Sequence, residues 1–211
     1  MRRDTRIDLG TLGGNGVIGG VVTIQSGAKL SPGASIGILT ISNNLTLVAN
    51  STTLMEISKS LLTNDQVNVT GALTCGGNLV VTNLSGTLTA GDSFKLFNAG
   101  TYSGAFTSFN LPALLTGLAW NTNALTNGTL SVIATVSPSF NQIVPAGDGN
   151  FQLSGYGTAL LAYELDAATN LASPVFWQFV TNTTSDVNGF FQFVDPQATN
   201  FPQRFYRVIA P

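Results

Sequence analysis

Three groups of residues in this 211-residue chain have the types and spacing of reaction centres. Gly33-Ala34-Ser35-Ile36-Gly37 has the G-x-S-x-G form, in which a serine on a sharp turn attacks a carbonyl once a base removes its proton. That base is usually histidine, and the chain has none. No helical periodicity follows Ile36, so Ser35 reads as a corner residue. Gly14-Asn15-Gly16-Val17-Ile18-Gly19 has the G-x-G-x-x-G spacing of a dinucleotide loop. Such a loop needs a strand before it, a helix after it and an acid about 20 residues on. Here a strand pattern, Val21-Val22-Thr23-Ile24, follows, and no Asp or Glu occurs between Asp8 and Glu56. Two carboxylate pairs remain: Glu56 with Asp65, which flank a loop, and Glu164 with Asp166, two apart on one strand face. Paired carboxylates cleave glycosidic bonds, and carboxylates with calcium serve polysaccharide cleavage. Neither pair has aromatics, arginine and further acids on a common groove in the linear pattern, so both read as solvated charges.

The absence of histidine and the single cysteine, Cys75, remove disulfides, the usual zinc sites and the Ser-His and Cys-His nucleophile pairs. Cys75 reads as a small buried residue. No residue is assigned a catalytic, cofactor-binding or metal-ligating role, and no cofactor is expected. Trp177, Tyr163 and Trp120 are the candidates for ligand or partner contact, by stacking on sugar rings; packing in the core is the competing use of each.

The elements that carry these residues are short. From Gly10 to about Val136, Val22/Ile24, Leu39/Ile41, Leu45/Leu47, Val67/Val69 and Leu79/Val81 each place two apolar side chains on one strand face. Turn signals such as Ser26-Gly27, Ser42-Asn43-Asn44, Thr70-Gly71 and Gly76-Gly77-Asn78 separate them, too closely spaced for ordinary helices. Only 9% of residues are charged, against about 25% in a typical globular domain. Lys and Arg are missing between Lys95 and Arg204, so there is no basic stripe for nucleic acid. No apolar run approaches the roughly 18 residues of a membrane-spanning helix. This pattern fits a stacked β-solenoid or a β-sandwich. Larger residues, Phe94, Phe97, Tyr102, Phe106, Phe109 and Trp120, read as a layer capping the solenoid end. After Thr135-Val136-Ser137-Pro138-Ser139 the composition shifts. About five strands are expected, at 151–153, 162–167, 175–180, 190–194 and 204–208, forming a small β-sandwich-like module. The expected organisation is therefore an irregular tail over 1–9, a β-solenoid with an aromatic-rich cap over 10–136, and the module over 137–211. Met1-Arg2-Arg3 opens a basic start with no apolar stretch behind it, so the chain is expected to be an internal piece of a longer exported protein.

The run from Gly19 to Ile41, with its core Ser31-Pro32-Gly33-Ala34-Ser35-Ile36-Gly37, closely resembles the late passenger region of bacterial autotransporters and their associated β-strand repeats. The likeness continues through Asn44-Leu45-Thr46-Leu47, Thr52-Thr53-Leu54-Met55-Glu56-Ile57, Asn64-Asp65-Gln66-Val67-Asn68-Val69 and Gly76-Gly77-Asn78-Leu79-Val80-Val81, covering residues 10–109. It implies an all-β, right-handed parallel β-helix displayed outside the cell, with no shared catalytic residues to carry over. The final module, including Phe176-Trp177 and Arg204-Phe205-Tyr206-Arg207-Val208, looks like the C-terminal modules of large secreted bacterial repeat proteins rather than a translocating barrel. The expected function is a non-enzymatic, extracellular or cell-surface structural or adhesive protein. It would associate with itself, joining copies into a filament through solenoid ends and strand edges, or bind cell-surface polysaccharide. The alternative is a carbohydrate-binding surface module of a larger secreted protein.

Overall fold

In the computed structural model, residues 4–147 and 149–210 are described, and two compact units divide at Ile133/Ala134. The first unit is a β-solenoid of about four turns. Its first rung is β1 (Thr5–Ile7), β2 (Thr11–Gly14) and β3 (Gly16–Ile18). Its second is β4 (Val22–Ile24), β5 (Lys29–Pro32) and β6 (Ile38–Ile41). The third carries β7 (Leu45–Leu47), β8 (Thr52–Ser58), a short β9 (Thr63–Asn64) folded back on β8, and the first half of β10 (Gln66–Cys75). The second half of β10 opens the fourth rung, followed by β11 (Asn78–Asn83), β12 (Ser93–Lys95) and β13 (Phe97–Gly104); β14 (Ser108–Asn110) ends the stack. Among the described residues the strand ladders between rungs are all parallel, with one isolated antiparallel bridge between Gly14 and Gly33. Of the tail expected to be irregular, residues 1–3 lie outside the described residues. Thr5–Ile7 instead pair in register with Val22–Ile24, because Ile7 falls opposite Ile24 and extends its ladder.

Register explains why these short strands hold. With side chains alternating across each strand, inward residues stack on inward residues: Val22 on Leu45 on Leu73, Leu39 on Val67 on Phe97, and Ile41 on Val69 on Ala99. All but Ala99 belong to the buried core, at about 1.5–3 kcal/mol for each Leu, Ile, Val or Phe removed from water. The sequence period is looser than the structural one. Thr5 pairs Val22, Val22 pairs Leu45, Leu45 pairs Leu73 and Leu73 pairs Tyr102, offsets of 17, 23, 28 and 29 residues. The surplus leaves at corners. Two of those corners are built alike: Asn15 Oδ1 accepts the Ile38 N–H and Asn44 Oδ1 the Ala72 N–H, at 2.8 and 2.9 Å. The residue stacked on each asparagine is glycine, Gly37 or Gly71, where a Cβ would lie 2.0 or 2.2 Å from the amide oxygen.

One ladder is imperfect. Thr53 lies between Leu30 and Leu79, fully buried, and its hydroxyl has no hydrogen-bond partner among the described residues.

The last rung meets a three-stranded sheet of β12, β15 (Leu118–Asn121) and β16 (Thr129–Ala134), ordered β12-β16-β15, with a 3-10 turn over Asn123–Asn127. Leu96 and Phe97 both donate their N–H to Gly128 O. Phe94, Phe106, Leu125, Leu130 and Val132 join the same continuous core as the rungs. Gly128 closes this contact at φ +80, and a Cβ there would sit 2.2 Å from Phe97 O.

The second unit is a pair of three-stranded antiparallel sheets. One is β17 (Ser139–Pro145), β18 (Phe151–Tyr156) and β21 (Phe190–Asp195). The other is β20 (Gln178–Thr184), β19 (Ala162–Ala168) and β22 (Phe205–Ile209). Leu153, Phe191 and Phe193 from the first sheet meet Tyr163 and Leu165 from the second in one core. β17 adds a strand to the five expected, and residues 175–177, expected as strand, precede β20 without joining it.

Two substitutions test this core with opposite signs in urea unfolding. Thr53→Val removes an orphaned hydroxyl between two leucines and is expected to stabilise by about 1 kcal/mol. Gly128→Ala combines a positive φ with a backbone clash and is expected to destabilise by about 2 kcal/mol or more. Destabilisation by Thr53→Val would mean that its hydroxyl is satisfied in solution.

Candidate functional site

The loop over residues 33–37, between β5 and β6, folds back on the third rung. Ser35 takes φ 129, but the nearby carboxylate is no free base. Asp65 is 1% exposed; its Oδ1 accepts the Gly37 N–H and its Oδ2 the Glu56 N–H, both at 2.8 Å. Burial pushes the Asp65 carboxyl up to about 6, against the opposing pull of those two N–H donors. Asp65 and Glu56 do approach and line a shallow cleft of about 340 Å³ with Ser31, Ser35 and Thr82. Among the described residues no Lys or Arg lines it, and both Asp65 oxygens accept backbone N–H groups. The Ser-Pro-Gly-x-Ser-Ile-Gly core therefore works as a clamp between rungs. The G-x-G-x-x-G spacing falls on the β2–β3 corner and runs into β4, with no helix to receive a phosphate.

A second cavity, about 290 Å³, lies between the 103–106 corner and the 3-10 turn, walled by Tyr102, Phe106, Phe109, Leu125 and Cys75. Burial pushes the Cys75 thiol up to about 11, so it stays protonated and weakly nucleophilic near neutrality. Among the described residues no three His, Cys, Asp or Glu side chains gather as a metal site, and no helix is long and apolar enough to cross a membrane.

The three aromatic candidates have different placements. Tyr163 is 1% exposed, packs 5.0 Å from Phe191, and exchanges hydrogen bonds with Thr158 N and O through its hydroxyl. It is a core residue and presents nothing to an outside ligand. Trp120, in the first unit, is half-buried against the core and donates its indole N–H to Pro112 O at 2.9 Å. Trp177 is half-buried beside an open sheet face, with the Arg207 guanidinium 4.6 Å from its ring centroid.

Sequence reasoning saw only part of this last neighbourhood, the Glu164 and Asp166 pair and Trp177. Cross-strand register sets Phe179, Asp166 and Arg207 in one row and Asn182, Glu164 and Ile209 in the next. Asp166 is buried, and its Oδ2 receives Arg207 Nε and Nη2 at 3.0 and 2.7 Å. The Glu164 carboxyl titrates above its usual range, from desolvation first and then from the Asp166 carboxylate. Of the acid pair read as solvated charges, Asp166 is instead buried, and the pair gains Arg207, Trp177 and Phe179 as neighbours. Arg207 is 41 residues from Asp166 in sequence, which no local pattern reveals. In the same unit Arg204 pairs with the fully buried Asp195 at 2.6 Å, and Tyr206 donates to that carboxylate.

No family model matches the chain, and no solved structure matches it. Over 149 residues, 63% of the chain, it is 34% identical to the Adhesin BmaC autotransporter of Brucella suis biovar 1 (strain 1330), and it spans about 4% of that protein's length. In sequence and in its β-solenoid, the chain is autotransporter-passenger-like.

The Asp65 clamp carries a pH signature. Its folded pKa, about 6, exceeds the ordinary 3.8, so its stabilising contribution is full below about pH 4 and is lost as pH rises through 6. Urea midpoints of the wild type and Asp65→Asn, measured from pH 4 to 7, are expected to differ by an amount that shifts against the wild type as pH rises. A difference independent of pH would mean that Asp65 ionises normally.

Proposed function

We propose that this chain is a non-enzymatic, adhesive segment of a protein displayed on the outer surface of a bacterial cell. The observation that carries the reading is the outward side of the rungs. Thr23, Thr46, Thr74 and Ser103 form one ladder, and Thr40, Asn68 and Asn98 another. The Thr74 and Ser103 hydroxyls lie 3.1 Å apart, and Ser108 donates to Asn78 at 2.6 Å. Stacked rungs thus repeat neutral hydroxyl and amide groups at the strand spacing of ~4.8 Å along a stiff face. Such a face holds a partner by many short hydrogen bonds and close fit, not by long-range charge. The similarity to a protein named as an adhesin supports the same role.

Self-association is the second reading, favoured by exposed apolar side chains at Leu9 and Val17, 82% and 72% exposed. Two copies meeting through the same apolar patch would close a pair, whereas a filament needs two complementary surfaces.

Beads coated with the purified chain test the adhesive reading under flow, over cultured cells and over beads carrying the same chain. Retention on cells is expected to exceed that of albumin-coated beads and to change less than about twofold between roughly 0.05 and 0.5 M NaCl, since screening weakens only charge-driven contacts. Retention equal to albumin, or abolished by salt, would contradict it. Retention confined to the like-coated beads would favour self-association, which Val17→Lys should then remove.

A further inference from the structure

The outer face of the β20-β19-β22 sheet is built around a neutralised centre. Arg207 donates two N–H groups to the Asp166 carboxylate and lies against Trp177, so the guanidinium is fixed by a buried acid on one side and a ring on the other. Around that centre three exposed groups can meet a ligand, although the Glu164 carboxyl also interacts with Asp166. Phe179 is 60% exposed in the row of Asp166, while Glu164 and Asn182 are exposed and directly opposed across the strands. Directly opposed residues in an antiparallel pair hold their Cβ atoms ~4.5–5.5 Å apart, so the carboxyl and amide heads can converge on adjacent groups of one ligand.

Charge decides what that ligand is. Arg204 and Arg207 are the only cations after Lys95, and each is committed to a buried acid, Asp195 and Asp166. An anionic ligand would therefore meet Glu164 with no free cation to offset it. A cationic ligand would meet a single exposed carboxyl, Glu164, beside the fixed Arg207 charge. A neutral polyhydroxyl ligand faces neither cost. Its hydroxyls can be accepted by Glu164 and shared with Asn182, and its C–H face can cover the exposed ring.

We infer that this face binds a neutral glycan, with one uncharged pyranose ring lying on Phe179, its hydroxyls held by Glu164 and Asn182, and Trp177 with Arg207 as the wall beside it. The inference rests on the adhesive reading and names the ligand class for one of its surfaces.

The test is affinity electrophoresis of the whole chain through gels containing laminarin, yeast mannan or xyloglucan, with heparin and polylysine beads as charged probes. Retardation by at least one neutral polysaccharide is expected. It should be weakened about tenfold or more by Phe179→Ala and by Glu164→Ala, as loss of a stacking ring or a charged hydrogen-bond partner does, with Asn182→Ala as an independent second variant. Tyr156→Ala, an exposed ring on the other sheet, should bind as the wild type. All four positions are exposed, and matching thermal unfolding curves would verify folding. No retardation by any neutral polysaccharide, retardation untouched by the three face variants, or retention only on heparin or polylysine would overturn the site. Bead adhesion separates the two readings. Adhesion without retardation overturns this site and leaves the adhesive role standing; retardation without adhesion supports the site and overturns that role.

Discussion

A single rung of this solenoid cannot hide its own apolar side chains, because each strand offers only two or three of them and leaves backbone N–H and C=O groups unpaired on both edges. Parallel stacking in register solves both problems together. Each edge finds the next rung's edge, and each inward side chain lands on another inward side chain, as Val22, Leu45 and Leu73 do. A slip of one residue would turn the threonine and asparagine ladders inward and the aliphatic ladders outward. The hydrophobic core and the neutral outer surface are therefore two consequences of one register. Asp65, Asn15 and Asn44 serve that register at the corners, where the chain leaves its strands and the rungs differ in length.

The same constraint accounts for what was legible beforehand. Pairs such as Val22/Ile24 and Leu45/Leu47 are read by alternation alone, and they are the buried residues of β4 and β7. The glycine corners were legible because close approach to another rung excludes a side chain. Thr5–Ile7 was not, since Arg6 and Asp8 mask a strand whose only inward residues are Thr5 and Ile7. Tyr163 stood between two uses because a ring with a hydroxyl suits a wet surface and a dry core equally, and the Thr158 backbone that satisfies that hydroxyl cannot be foreseen from spacing. The Glu164 neighbourhood was half seen. The alternation of β19 put Glu164 and Asp166 on one face, yet the strands bringing Phe179 and Arg207 beside them pair across long stretches of chain. Long-range register of that kind leaves no trace in a local pattern.

Function follows from where polar groups are spent. The buried acids Asp65, Asp166 and Asp195 are engaged by backbone amides or arginines, which fixes loops and strands. The motifs that look like reaction centres in one dimension are corners in three. On the proposed adhesive reading, the hydroxyl and amide ladders of the outward face are what hold a partner.

The central claim, that inward ladders bind the rungs into one cooperative scaffold, is tested most directly by native-state hydrogen exchange resolved by residue. Amides along β4, β5, β7, β8, β10 and β11 are predicted to open together, with one shared free energy and one shared denaturant dependence. Rungs that exchange one by one, with protection fading steadily toward either end of the stack, would contradict the account.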